Sequence, residues 1–104
     1  MRKQTDNIQL QNGDNMTVCK AYWVGDSGHA WLAVSGKLAQ KVSGISAYSY
    51  QSPSGITAYL EEDCDAQLFI EHYGEDNIEL GKPVMHSNQA PLRKYPSYRN
   101  GGNQ

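Results

Sequence analysis

The sequence predicts an α+β domain: a mainly antiparallel twisted sheet of four to six strands, with one helix of two to three turns and one short helix packed on one face. Three observations predict it. Short runs that alternate apolar and polar residues recur as far as Leu60, separated by turns marked by Gly, Asn and Pro. One apolar stripe at helical spacing follows: Ala66, Phe69, Ile70 and Tyr73 stand at i, i+3, i+4 and i+7. The chain, at 104 residues, has room for one core and not for two.

The elements follow in order. Thr5–Leu10 is a weak strand, closed by the Asn12-Gly13 turn signal. Met16–Val24 is rich in β-branched and aromatic residues and predicts a second strand. Gly25-Asp26-Ser27-Gly28 turns the chain into a third, His29–Val34, so the first three read as an antiparallel meander. Ser35 suits the cap of a short helix carrying Leu38 and Val42, with Gly44 placed to end it. Ile45–Gln51 alternates as a strand, Ser52-Pro53-Ser54-Gly55 turns it, and Ile56–Leu60 returns. Cys64–Tyr73 is the main helix, with Asp63 as N-cap, acids in the first turn where the helix dipole favours them, and Gly74 at its end. Asn77–Leu80 adds an edge strand. These elements define one domain over 1–82; 83–104, marked by Pro and poor in aliphatics, is an extended basic C-terminal arm, either docked on the sheet or free.

Composition narrows the function classes. Only 38% of residues are hydrophobic, but seven Tyr and two Trp supply burial at about 150–250 Å² each. No apolar run approaches the ~20 residues of a membrane span. The basic Met1-Arg2-Lys3 is followed by polar residues where a signal peptide needs an apolar stretch, which predicts a cytoplasmic protein. Cys19 and Cys64 are expected as free thiols, with a single disulfide between them the lesser alternative. A net charge of −2 argues against a nucleic-acid partner, which usually calls for a basic excess. The charge is segregated: eight acids and no Lys or Arg lie from Glu61 to Glu79, and four Lys or Arg and no acid from Lys82 to the end.

Strand alternation assigns side chains to faces. Ala30, Leu32, Val34, Ile45, Ala47, Ile56, Ala58 and Leu60 form an aliphatic face suited to receive Phe69 and Ile70. The opposite face is aromatic: His29, Trp31, Tyr48, Tyr50 and Tyr59. Two readings compete for it. Either the tail covers it through Tyr95, Pro96 and Tyr98, or it is an open binding surface, since Trp and Tyr dominate interface hot spots.

The cluster Glu61-Glu62-Asp63-Cys64-Asp65 offers oxygen ligands that suit Mg²⁺ or Ca²⁺, but lacks the glycine and distal Glu of an EF-hand loop. A solvated helix start or a partner-facing acidic knob explains Glu61, Glu62, Asp63 and Asp65 more simply. Cys64 and His72, eight residues apart on one helix, would stand about 12 Å apart, too far for a nucleophile pair. Cys64 with His29 is open geometrically, yet the adjoining carboxylates oppose thiolate formation and no third orienting residue stands out. The three His and two Cys show no zinc spacing, and Gly25–Gly28 is too short for a phosphate loop. No metal and no cofactor is expected.

Three blocks carry a resemblance: Gly28-His29-Ala30-Trp31-Leu32-Ala33-Val34, Ile45-Ser46-Ala47-Tyr48-Ser49-Tyr50, and Tyr59-Leu60-Glu61-Glu62-Asp63-Cys64-Asp65-Ala66 with Leu68-Phe69. In this order, over residues 22–70, they resemble a family of small uncharacterised proteins encoded mainly by bacteriophages, prophages and plasmids. The resemblance implies a mobile-element accessory protein in a bacterial host. It carries over no catalytic residues. The resulting expectation is a non-enzymatic protein-binding module that modulates a host or defence protein. Its contacts would be the aromatic face, the acidic knob, or both, and a homodimer is left open. The alternative is a small metal-dependent hydrolase or nuclease using His29 and the Glu61–Asp65 carboxylates.

Overall fold

A strand-rich core dictates the architecture. The computed structural model describes residues 18–99, and within them six strands form one sheet, in the path β3-β4-β2-β1-β5 with β6 also paired to β1. The strands are β1 (Cys19–Gly25), β2 (Ala30–Ser35), β3 (Tyr50–Gln51), β4 (Thr57–Glu61), β5 (Ile78–Leu80) and β6 (Val84–Met85); the helices are α1 (Gly36–Ala39) and α2 (Asp65–Tyr73). The expected strand Thr5–Leu10, its Asn-Gly turn and the start of the Met16–Val24 strand lie outside the described residues.

Antiparallel pairing holds β3, β4, β2 and β1 together, with Trp23 opposite Leu32 and Leu32 opposite Leu60. β4 therefore runs the same way as β1. After α2 the chain reaches the far side of β1, and β5 pairs there in parallel, Cys19 opposite Ile78. A parallel neighbour needs such a crossover, and the nine-residue α2 with a cap at each end supplies it. β6 continues along the same edge of β1, Val24 opposite Val84.

Both faces of the sheet are covered. On one, Leu32, Val34, Ala58 and Leu60 pack against Ala66 and Phe69 of α2 and Ala39 of α1 in a single cluster. On the other, Val24, Trp31 and Ala33 pack with Ala90 and Leu92, flanked by Tyr50, Tyr59 and Tyr95. The period-two division of β2 and β4 into an aliphatic and an aromatic face is thus the division between two cores. Ile56 departs from it. It precedes β4 and is 75% exposed, its carbonyl accepting from the Gly36 amide. That junction admits no side chain at Gly36, because a Cβ there would overlap the Gly55 carbonyl oxygen.

Of the two dispositions open to the C-terminal segment, residues Val84–Arg99 take the docked one. The chain crosses the aromatic face through a 3₁₀ turn at Pro91–Lys94, and the last described residues lie against β3. There Gln51 N donates to Pro96 O, Tyr98 N donates to Ser49 O, and Tyr50 bridges Ser97. Tyr98 passes beyond the edge into the first core and is 5% exposed.

Three local expectations are corrected. The strand expected over Ile45–Gln51 is reduced to Tyr50–Gln51, because Asp65 takes hydrogen bonds from Ser46 N (3.1 Å), Ser46 Oγ (2.7 Å) and Ser49 Oγ (2.5 Å) and holds 45–49 as a loop. Ala47, assigned to the aliphatic face, is consequently exposed, while Ser49, two residues on, is buried. The N-cap of α2 is Cys64, not Asp63, whose amide instead donates to Glu61 Oε1 in the preceding turn. Ser35 does cap α1, accepting from Leu38 N at 3.4 Å. The main helix ends as expected at Gly74, at φ 93°, whose amide donates to Ile70 O.

Candidate functional site

The Asp26 turn and the end of β4 place the site. Asp26 Oδ1 accepts from the Gly28 and His29 amides, which fixes the tight turn and sets His29 at the mouth of β2. Its other oxygen accepts from Ala90 N and, at 2.6 Å, from Arg93 Nε, while Arg93 Nη2 reaches Oδ1 at 3.0 Å. The guanidinium then lies 5.1 Å from the Trp31 ring centre. The paired Arg93, followed by the Ala90 amide, holds the Asp26 carboxyl well below the usual carboxylate range. This bidentate clasp ties the tail to the turn that carries His29.

On the adjoining rim lies an open cleft of about 290 Å³ lined by His29, Trp31, Tyr48, Tyr50, Glu61 and Cys64. Trp31 forms its floor at 2% exposure, with its indole 6.1 Å from the Tyr50 ring edge-on and 6.0 Å from His29. Trp31 Nε1 is a buried donor with no partner among the described residues. Tyr48 stands over the cleft at 78% exposure. Its ring has no hydrogen-bond or ring partner among the described residues, but its backbone is held: Tyr48 N donates to Ser46 Oγ, which in turn donates to Asp65. Glu61 is anchored from the other side, its own amide donating to the buried Ser49 hydroxyl.

Glu61 sits at the centre of the polar side. Oε1 accepts from Asp63 N at 2.8 Å and from the Cys64 thiol at 3.4 Å, and Oε2 lies 3.8 Å from His29 Nδ1. A cysteine nucleophile needs a base beside its sulfur. Here a carboxylate occupies that place, and the histidine stands behind it. Desolvation, then the Glu61 hydrogen bond and the Asp65 charge, push the Cys64 thiol up, so that it is a thiol and not a thiolate at neutral pH. Both Cys19 and Cys64 are free, the first buried and the second exposed.

The aromatic and acidic residues divide in an informative way. His29, Trp31, Tyr48, Tyr50 and Glu61 converge on one cleft. Tyr59 does not: it lies under the tail, 5.8 Å from the Tyr95 ring, and burial raises its phenol. Glu62 and Asp63 are exposed beside the cleft. Asp65 is removed from the acidic knob altogether, 1% exposed and committed to Ser46 and Ser49. Among the described residues no three His, Cys, Asp or Glu side chains are grouped to hold a metal ion. Sequence reasoning missed Cys64 as a cleft residue, although its place after Glu61-Glu62-Asp63 was visible. It also missed Asp26 and Arg93, whose contact spans 67 residues and leaves no local signal.

A larger apolar hollow of about 420 Å³ lies between Trp23, Leu32, Ile70, Ile78 and Leu80, with Glu75 as the one charged group among the described residues of its lining. It lacks the convergent polar groups that orient a ligand, and the aromatic cleft has them. No described helix is long and apolar enough to cross a membrane. No protein-family model, no curated protein and no solved structure matches the chain.

Proposed function

We propose that the chain is a small accessory protein of a mobile genetic element in the bacterial cytoplasm. It acts as a non-enzymatic protein-binding module on a host or defence protein, with the Tyr48 cleft as its contact surface. The observation that carries the binding reading is Tyr48: a large aromatic ring, 78% exposed, held on a pinned loop over a cleft of further aromatics. Such rings cost folding stability little to display and contribute disproportionately at interfaces. The non-enzymatic reading is supported by the protonated Cys64 thiol and by the position of Glu61 between it and His29. The mobile-element reading rests on the resemblance of residues 22–70 alone.

The test is affinity capture from bacterial lysate on the immobilised full chain and on its Tyr48→Ala variant, read by mass spectrometry. The reading expects at least one protein retained by the parent and lost from the variant, at an unchanged melting temperature. Identical capture profiles would contradict it.

A further inference from the structure

We propose that the cleft receives a single arginine or lysine side chain of the partner protein, an inference that rests on the protein-binding reading above. Three properties of the lining select a cation. Its walls are the exposed Tyr48 ring and the half-buried Tyr50 ring, over the buried Trp31 whose indole already holds the Arg93 guanidinium at 5.1 Å. An aromatic ring attracts a cation held within about 6 Å of it. Its polar side is the Glu61 carboxylate, at 14% side-chain exposure, and the described residues of the lining hold one carboxylate and no Lys or Arg. The Arg93 guanidinium, 5.1 Å from the Trp31 ring, is already engaged by both oxygens of Asp26. Beyond the mouth, exposed Glu62 and Asp63 extend the same sign.

The competing occupants fit less well. An apolar side chain would shut Glu61 away from water with no counter-charge, and an unpaired buried carboxylate is strongly unfavourable. An anionic group would meet Glu61 directly. The size agrees with a side chain: about 290 Å³ lies at the lower bound of small-molecule pockets, which run from about 300 to 1,000 Å³. Glu61 is also held in place before binding, by Asp63 N on its side chain and by Ser49 Oγ on its amide, so little ordering remains when the cation arrives.

The experiment is panning of a random heptapeptide display library against the full chain, with Tyr48→Ala and Glu61→Gln as counter-targets. Glu61→Gln keeps a carbonyl oxygen for Asp63 N while removing the charge. The inference expects enriched peptides to share an Arg or Lys, to lose affinity about tenfold or more on either variant, and to bind more weakly as salt rises. Enriched peptides that depend on Tyr48 but share no basic residue would overturn the cation and leave the binding reading standing. Basic peptides indifferent to both substitutions would also overturn it, since they would be bound elsewhere on the acidic surface. No Tyr48-dependent peptide at all would overturn the inference and the reading together.

Discussion

Arg93 and Asp26, 67 residues apart in sequence, meet in a bidentate ion pair at 2.6 and 3.0 Å, and through it the C-terminal segment is clamped over the aromatic face of the sheet. The Asp26 side chain is fully covered, and the pair is reinforced by the Ala90 amide on the same carboxylate. Removing Arg93 leaves that carboxylate without its partner, a worse outcome than removing both. Arg93→Ala is therefore expected to lower the melting temperature by several degrees and to speed amide exchange at Ala90 and Tyr95. The double variant Arg93→Ala/Asp26→Asn should recover part of the loss. Thermal melts of the three chains, with exchange on the first, check both.

The same pair sets a pH dependence. The folded state depresses the Asp26 carboxyl below its ordinary 3.8, so the unfolded chain binds the proton more readily. The stabilisation is fully present above the ordinary value and is lost as pH falls through and below it. Asp26→Asn should thus be less stable than the parent at pH 7, and the gap should narrow as pH falls below about 4. Melting temperatures across pH 2–7 check the sign.

The helix-side core has its own measure. Phe69 is completely buried among Leu32, Leu60 and their neighbours, and its ring lies 4.8 Å from Tyr73. Phe69→Ala is expected to cost about 3–5 kcal/mol in urea unfolding, as loss of a buried aromatic does. A cost below about 1 kcal/mol would mean that the ring is not in the core.

Asp65 links the core to the cleft. Its carboxylate holds Ser46 and Ser49, and through them the Tyr48 loop and the Glu61 amide. Asp65→Ala leaves the buried Ser49 hydroxyl without its acceptor, an effect of about 1–3 kcal/mol. Amide exchange should accelerate at Ser46 and Tyr48 ahead of the sheet. Uniform acceleration would show a general loss of stability and no specific hold on the loop.

Cys64 reactivity checks the chemistry. With its thiol raised above the ordinary range by desolvation and Glu61, alkylation by iodoacetamide at pH 7 should be slower than that of an unstructured thiol. Glu61→Gln should speed it. Fast, selective alkylation of the parent would reopen a nucleophilic role.

What could be read from the sequence was what depends on spacing within one element. The alternation of Trp31, Leu32, Ala33 and Val34 divides between the two cores as period two requires, and the Ala66–Phe69 stripe faces the sheet. Five of the cleft residues were visible as an aromatic face next to an acidic run. What could not be read was set by contacts distant in sequence. Ser46 and Ser49 look like strand residues until Asp65, 19 and 16 positions on, takes their hydroxyls. Tyr48 and Tyr59 look equivalent until the tail arrives: Tyr95 covers Tyr59, and Tyr48 stays in solvent. The tail thus covers one half of the aromatic face and leaves the Tyr48 rim exposed.

The most direct test of the account is calorimetry of the captured partner against the parent chain and against Tyr48→Ala, matched in melting temperature. The account expects Tyr48→Ala to weaken binding by about 2 kcal/mol or more, roughly thirtyfold in Kd, as an interface anchor does. An affinity unchanged within about twofold, with the fold intact, would contradict it and remove the cleft as the contact surface.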